Sequence, residues 1–270
     1  MQKNELLLGK ATSYLEEYDP TVLQPIGRNL GRAQLKSNVS LGYDLWRLYE
    51  ITYLNRQGIP QIAVGTIKVP ATSPYIVESK SLKLYIGSFT QTKFSNKEEV
   101  TAIIAHDLSK VLESNVEVKL FALNENNEYF NIQMLNGTSI DQEPIEKPVY
   151  EPDPKLFVPS NGHYVIETLR SDLLRTLCPV TGQPDHASIM IRYEGEQIDK
   201  KALLSYIVSY RRHRGFHEQC CEQIFNDIKQ NLRPVKLCVM ACFTRRGGID
   251  INPIRNEFSE DIIPVRTIRQ

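Results

Sequence analysis

The fold is decided by the stretch Cys178-Pro-Val-Thr-Gly-Gln-Pro-Asp185, which places a thiol and a carboxyl at the ends of a short loop. Two prolines stiffen this loop and one glycine bends it. The apolar-rich residues 165–177 precede it and the alternating residues 187–193 follow it, and both patterns predict strands. We therefore expect the loop to join two strands and to hold both side chains at one edge of a sheet.

Two interpretations of Cys178 are open from this loop alone. A thiol near a carboxyl on an accessible loop is a candidate functional site. A half-buried structural thiol beside a solvated aspartate fits the loop equally well, because free cysteine is commonly buried and inert. The rest of the chain has to decide between them.

The composition is that of a soluble globular protein whose ligand is small. Among its 270 residues, 32 basic and 32 acidic side chains cancel, so no overall field attracts nucleic acid or an anionic membrane. No stretch approaches the ~20 apolar residues of a membrane helix, and the apolar run at the start is too short for a signal peptide. The five cysteines are odd in number and include an adjacent pair, which is not typical of a disulfide framework. We expect a cytoplasmic protein.

Two halves of the chain show the same order of predicted elements, which is strand, strand, helix, helix, strand, strand. We divide the chain into an irregular surface arm (1–40), a first unit (41–139), a linker rich in proline and acidic residues (140–160) and a second unit (161–270). Where the second unit has the Cys178 loop, the first has a turn at Asn55, with no thiol and no following aspartate.

The predicted elements can be given by range. The first unit has strands at 44–54, 61–69, 116–123 and 129–135, a helix with Leu82, Tyr85, Ile86 and Phe89 on one face, and a helix to about residue 113 that opens with the capping box Ser95-Asn-Lys-Glu98. The second has the hairpin around Cys178, helical periodicity over 200–232 with a break near Arg214-Gly215, and strands at 235–244 and near 249–251.

Three further stretches have both a structural and a functional interpretation. Glu78 and Ser79 open a predicted helix, where they either cap it or help to bind an anion. Arg214-Gly-Phe-His-Glu218 is either a simple cap or an acid and an imidazole at a site. Thr244-Arg-Arg-Gly-Gly-Ile-Asp250 is either a charged turn or a phosphate clamp. No Gly-x-Gly-x-x-Gly or Walker pattern occurs and the histidines lack ligand spacing, so we expect neither a Rossmann domain nor a metal.

Together, these four stretches resemble the NADPH-dependent 7-cyano-7-deazaguanine reductases, in their longer two-domain form. The most specific element is Glu78-Ser-Lys-Ser-Leu-Lys83, which is similar to the signature that separates these reductases from their cyclohydrolase relatives. Cys178 with Asp185, Phe216-His-Glu218 and Arg245-Arg-Gly247 follow in the family's order. His186 departs from the family, which usually has an aromatic residue there, and this affects the expected packing above the nucleophile.

The resemblance implies an α+β protein of two tandem tunnelling-fold (T-fold) units, each an antiparallel sheet with helices on one face. Such units associate into barrels and bind purine-like ligands at their interfaces, and the protein is expected to be a homodimer. The implied reaction is the NADPH-dependent four-electron reduction of the nitrile of 7-cyano-7-deazaguanine to a primary amine, in queuosine biosynthesis.

The resemblance also implies a role for each matching residue. Cys178 would add to the nitrile carbon as a covalent thioimide, and Asp185 would donate a proton, which requires a raised pKa. The substrate would be held by Val77, Glu78, Ser79, His217 and Glu218. The cofactor NADPH would be held by Ser79, Lys80, Arg246 and Gly247.

Two alternative functions remain at this point. A cyclohydrolase-like or amidine-forming enzyme of the same fold would use a cysteine and a glutamate but no hydride, and the Glu78 to Lys83 signature disfavours it. A non-catalytic deazapurine-binding module would not need Cys178 or Asp185.

Overall fold

The computed structural model describes residues 14–158 and 162–270. Its strands are β1 Pro25–Gly27, β2 Tyr43–Leu54, β3 Pro60–Pro70, β4 Tyr75–Val77, β5 Glu117–Phe121, β6 Thr138–Ser139, β7 Tyr164–Leu177, β8 Pro184–Glu196, β9 Lys236–Phe243 and β10 Ile249–Asn256. Its α-helices are α1 Asn29–Arg32, α2 Ser79–Gly87, α3 Lys97–Leu112, α4 Lys200–Ser209 and α5 His217–Leu232. The predicted α+β class is confirmed.

One eight-stranded sheet contains strands from both halves, in the order β5-β3-β2-β10-β9-β8-β7-β6. Neighbouring strands are antiparallel, except for β6 and β7. The halves join where β2 pairs with β10, with Trp46 directly opposite Ile251. The sequence pattern indicates a separate sheet for each half and does not predict this join.

The longer helices all lie on one face of this sheet. The side chains of β10 that point to this face show the arrangement. Ile251 packs in the apolar cluster under α2 and α3, and Arg255 on the same face forms an ion pair with Glu222 of α5. Leu82, Tyr85 and Ile86 of α2 are buried in this first cluster, and Phe89, which was predicted on the same helix face, is buried there too although α2 ends at Gly87. A second cluster lies under α4 and α5, so each half keeps its own core beneath a shared sheet.

The predicted strand at 129–135 is wrong. Its backbone does not pair with β5, because the segment crosses the opposite face of the sheet. There the carbonyl of Tyr129 accepts a hydrogen bond from Arg47, and the N–H of Gln133 donates to Arg266 near the end of the chain. Leu135 is buried against that face, so the segment packs on the sheet instead of adding a strand to it.

Two smaller predictions also need correction. The cap of α3 is Asn96 rather than Ser95; its side chain accepts from the Glu99 N–H, and the Glu99 carboxylate accepts from the Ser95 N–H. The described part of the arm does not lie only on the surface, because Arg28 is 3% exposed and forms ion pairs with Asp44 and Glu222. The start of the chain, on which the signal-peptide prediction rests, and residues 159–161 of the linker lie outside the described residues.

Candidate active site

The loop that joins β7 and β8 is closed at both ends by backbone hydrogen bonds. The Cys178 N–H donates to the Gln183 carbonyl over 2.9 Å, and the Gly182 N–H donates back to the Cys178 carbonyl over 3.0 Å. Gly182 has φ = +72°, which a residue with a side chain rarely adopts. This closed loop turns Cys178 inward, and the residue is only 3% exposed.

The end of β7 also holds the start of α5 beside this loop. The Leu177 N–H donates to the His213 carbonyl over 2.8 Å, and the Gly215 N–H donates to the Leu177 carbonyl over 3.2 Å. These two bonds bring His217 and Glu218, the first residues of α5, close to the thiol.

Asp185 is the centre of the ionic contacts in the site. Its Oδ2 lies 3.3 Å from His217 Nε2, and its Oδ1 lies 2.8 Å from Arg246 Nε. Burial raises the pKa of Asp185, but the hydrogen bond from His217 and the charges of His217, Arg246 and Lys83 outweigh it, and the pKa is lowered. In this arrangement Asp185 is a carboxylate, and the raised pKa that a proton donor needs is not present.

Cys178 differs from the other four cysteines, although all five are buried. Burial raises the pKa of its thiol, but hydrogen bonds from Thr181, Val180 and Arg246 outweigh this and lower it. Burial instead raises the pKa of the others, to about 12 in the two that lie on β9. Cys178 is therefore the cysteine most easily converted to a thiolate, the form that acts as a nucleophile.

Helix α2 brings the first half to the same place, because β2 pairs with β10. Glu78 caps α2: its carboxylate oxygens accept from the N–H groups of Lys80 at 2.9 Å and Ser81 at 2.7 Å, and it is fully buried. Each oxygen still has a second lone pair. The neighbours Val77 and Ser79 face the Cys178 side of the sheet join.

A small cavity of about 20 Å³ lies between the halves. It is lined by Trp46, Val77, Ser79, Cys178, Pro179, Asp185, Gly215, Phe216, His217, Glu218, Arg246 and Ile251. Of the residues predicted to form the site, the lining thus includes seven and omits Glu78, Lys80 and Gly247. The volume is about that of one water molecule, so a bicyclic base requires the walls to separate.

Glu218 has one carboxylate oxygen in this wall without a hydrogen-bond donor. Its Oε1 is buried and makes no hydrogen bond within the described residues, and the same is true of His217 Nδ1. Burial, followed by the nearby charge of Asp44, raises the pKa of Glu218 to about 8. A buried acceptor without a donor is costly, which makes Glu218 a candidate to bind a donor from a ligand.

Lys83 was not assigned a role in the sequence analysis, although it belongs to the quoted signature. Its pKa is lowered by burial and by Arg246, against the opposing charges of Glu78, Asp185 and Cys178. Gly247 has φ = +61°, and a Cβ there would lie 3.2 Å from the Lys83 side chain. The spacing could have indicated it, since Lys83 follows Ser79 by one helical turn and so shares its face.

His186 and Arg245 lie away from the cavity. His186 is exposed and pairs with Arg175 across the hairpin, because successive strand residues point to opposite faces and its neighbour Asp185 points inward. The concern about packing above the nucleophile therefore does not apply. Arg245 stacks over Tyr49 at 4.3 Å.

Residues 14–158 and 162–270 contain neither a candidate membrane span nor a candidate metal cluster. No helix there is both long enough and apolar enough to cross a membrane. That part of the chain also has no group of three His, Cys, Asp or Glu side chains placed to hold a metal ion.

Comparison with known proteins gives a consistent assignment. A family model described as "Nitrile reductase, 7-cyano-7-deazaguanine-reductase N-term" matches residues 14–120, and one described as "QueF-like protein" matches residues 184–261. The chain is 47% identical to the NADPH-dependent 7-cyano-7-deazaguanine reductase of Burkholderia orbicola (strain MC0-3), over 97% of this chain and 98% of that one. It is 48% identical to the protein of the same name from Burkholderia vietnamiensis (strain G4 / LMG 22486), over 97% of both chains.

A solved structure described as the archaeosine synthase QueF-Like in the apo form covers 38% of this chain and 99% of its own, with 17% identity. Its TM-score of 0.31 is too low to support an argument about the fold. The two long sequence matches are sufficient without it. The chain belongs to the family of NADPH-dependent 7-cyano-7-deazaguanine reductases.

Proposed function

We propose that this protein reduces the nitrile of 7-cyano-7-deazaguanine to the primary amine 7-aminomethyl-7-deazaguanine with NADPH, in queuosine biosynthesis of tRNA. The observation that carries the proposal is the cavity shared by the two halves. It brings together a cysteine of lowered pKa, an ion-paired aspartate and a buried glutamate with one oxygen that accepts no hydrogen bond. A nucleophile, an acid and an acceptor for a purine edge are the groups that this reaction requires.

The chemistry begins at the sulfur of Cys178. The thiolate bonds to the nitrile carbon, one C–N π pair moves to nitrogen, and nitrogen takes a proton, which gives a thioimide with no atom lost. After the first reduction of that carbon, the C–S bond breaks and its electron pair returns to Cys178. The imine that is released is reduced in turn, and the whole conversion consumes two hydrides and two protons.

The cofactor would lie against Ser79, Lys80, Arg246 and Gly247, with Lys83 beside them. Arg246 and Lys83 are basic side chains that can bind a phosphate by charge-assisted hydrogen bonds, and Gly247, with φ = +61°, lets the backbone approach the Lys83 side chain closely. These features fit NADPH, which supplies hydride when it is bound. Each molecule supplies one hydride, so two are used in each cycle.

Asp185 can donate a proton only after its ionic contacts change. His217 and, to a smaller extent, Arg246 now hold it as a carboxylate, and the Arg246 guanidinium is the candidate partner of a cofactor phosphate. We propose that a phosphate takes Arg246 from Asp185, which removes one of the charges that lower the pKa of this carboxyl. Proton donation by Asp185 would then follow cofactor binding.

Glu218 and Glu78 are the proposed acceptors for the N–H donors of the deazaguanine edge. Val77, Ser79 and His217 would complete the walls around the base. Since the cavity is small, we propose that substrate binding separates the start of α2 from the start of α5.

Three features of the whole chain belong to the same proposal. The first is an assembly of two tandem T-fold units with the boundaries 1–40, 41–139, 140–160 and 161–270. The second is a homodimer, and the third is a location in the cytoplasm. The tandem units are supported by the shared order of a hairpin followed by two helices.

The test follows NADPH absorbance after 7-cyano-7-deazaguanine is added. We expect two NADPH oxidised for each nitrile consumed. A cyclohydrolase-like or amidine-forming enzyme would oxidise none while converting its substrate, and a binding module would bind the base without turnover. Either result would reject the proposal.

A further inference from the structure

Thr181, in the middle of the β7–β8 loop, contacts the sulfur that the reaction uses. Its N–H donates to Cys178 Sγ over 3.5 Å, and its hydroxyl contributes to lowering the pKa of that thiol. Its Oγ1 accepts a hydrogen bond from the Gln183 N–H over 3.3 Å. Because the oxygen accepts from Gln183, its own O–H proton is available to the sulfur.

The loop holds Thr181 in place before any ligand binds. The hydrogen bonds between Cys178 and residues Gly182 and Gln183 close the loop on both sides of Thr181. Donors that are already oriented toward a developing negative charge stabilise it without further reorganisation.

We propose that Thr181 is a catalytic residue, whose hydroxyl and N–H stabilise the Cys178 thiolate both as the attacking group and as the leaving group. This inference rests on the proposed function, in which Cys178 is the nucleophile. In the first step the thiolate loses its charge as the C–S bond forms. When that bond breaks, the electron pair returns to sulfur and the same two donors receive it.

Three charged groups also lie near this sulfur, and their effects on the thiolate must be separated from that of the neutral Thr181. Arg246 lies in the turn between β9 and β10, Lys83 on α2 and Asp185 on β8. The first two are also candidate cofactor ligands, so their removal changes several properties at once. Thr181 is neutral and lies at the exposed side of the loop, so its hydroxyl can be removed alone.

The test compares the full-length protein with Thr181→Val and Thr181→Ser. Valine keeps the shape and the N–H but removes the hydroxyl, and serine restores it. The rate of the mass increase with 7-cyano-7-deazaguanine, without NADPH, is measured against pH, together with the rate of alkylation of Cys178 by iodoacetamide. We expect both rates to fall roughly three- to tenfold in Thr181→Val near neutral pH, to converge with those of the unaltered protein at high pH, and to recover in Thr181→Ser.

The outcomes distinguish this inference from the proposed function. Superimposable pH profiles for Thr181→Val and the unaltered protein overturn the inference while Cys178 remains the nucleophile. An unaltered protein that is alkylated at Cys178 but gains no nitrile adduct overturns the proposed function. Circular dichroism verifies folding, and Thr181→Ala is a second deletion of the hydroxyl should valine disturb the loop.

Discussion

The hairpin loops of the two halves are held by the same backbone hydrogen bonds but carry different side chains. In the second half, the Leu177 N–H and carbonyl bond to the chain just before α5, and in the first half those of Leu54 bond in the same way to Thr92 and Phe94, just before α3. Asn55 therefore occupies the position of Cys178. Its Oδ1 accepts the N–H groups of Gln57 and Ile59, as Cys178 Sγ accepts that of Thr181.

The two positions differ most in their surroundings. Gln61 has the register of Asp185, and Glu98 is the second residue of α3 as Glu218 is of α5. Glu98 is exposed, whereas Asp185 and Glu218 are each 3% exposed. The second-half residues are buried because the start of α2 faces them across the join of β2 and β10. The repeated backbone arrangement thus forms a buried site only in the second half, where the start of α2 covers it.

The largest expected difference is between Cys178→Ala and Asn55→Ala. Without NADPH, the unaltered protein and Asn55→Ala should each gain the mass of one nitrile, because addition loses no atom. Cys178→Ala should gain none. If Cys178→Ala still gains this mass, the nucleophile is one of the four other cysteines, and the comparison of the two loops fails.

The next largest difference is between Asp185→Asn and Gln61→Asn. Asparagine keeps the shape of the aspartate but cannot donate an acidic proton, and general acid catalysis is worth ~10²–10⁴ in rate. We expect kcat to fall by that range in Asp185→Asn and to stay unchanged in Gln61→Asn. Turnover within a few-fold of the unaltered protein would remove Asp185 from the proton-transfer step.

The two helix caps give a third comparison. Glu78 caps α2 and Asp199 caps α4, so an alanine at either position removes a cap worth about 1 kcal/mol of stability. Calorimetric titration should show the nitrile bound more weakly by about 2–4 kcal/mol in Glu78→Ala alone, because donors of the buried base then lack an acceptor. Equal affinities in the two variants would mean that Glu78 is only a cap.

The last comparison concerns pH and the pair Glu218 and Glu98. The pKa of Glu218 is raised from 4.5 to about 8, so the folded state binds more protons than the unfolded state between these values. Stability should therefore fall as pH rises through that range. Urea unfolding should show a flatter pH dependence in Glu218→Gln and an unchanged one in Glu98→Gln.

The same ionisation should affect ligand binding in the opposite direction. A carboxylate accepts two donors and a protonated acid does not, so nitrile affinity should weaken by up to about tenfold for each pH unit below about 8. An affinity that is independent of pH over this range would show that Glu218 does not bind the base as a carboxylate.

Much of the local structure follows from patterns within short segments. The apolar-rich run before the Cys178 loop and the alternation after it predicted β7 and β8, and the spacing of Leu82, Tyr85 and Ile86 predicted α2. These predictions succeed because a strand or an amphipathic helix shows its buried face in a few residues. The segment 129–135 was misread, since its partners are Arg47 and Arg266, which are distant in sequence.

The sequence by itself determined the family, the nucleophile candidate and the segments that carry the site, because motifs and periodicity depend on neighbouring residues. Only the tertiary structure decided that β2 joins β10 and that α2 therefore meets the Cys178 loop. It also decided that Asp185 is held as a carboxylate, that one buried oxygen of Glu218 accepts no hydrogen bond and that the Thr181 N–H contacts the thiol. Burial and pKa depend on which distant groups come within a few ångströms, and a linear pattern does not contain that information.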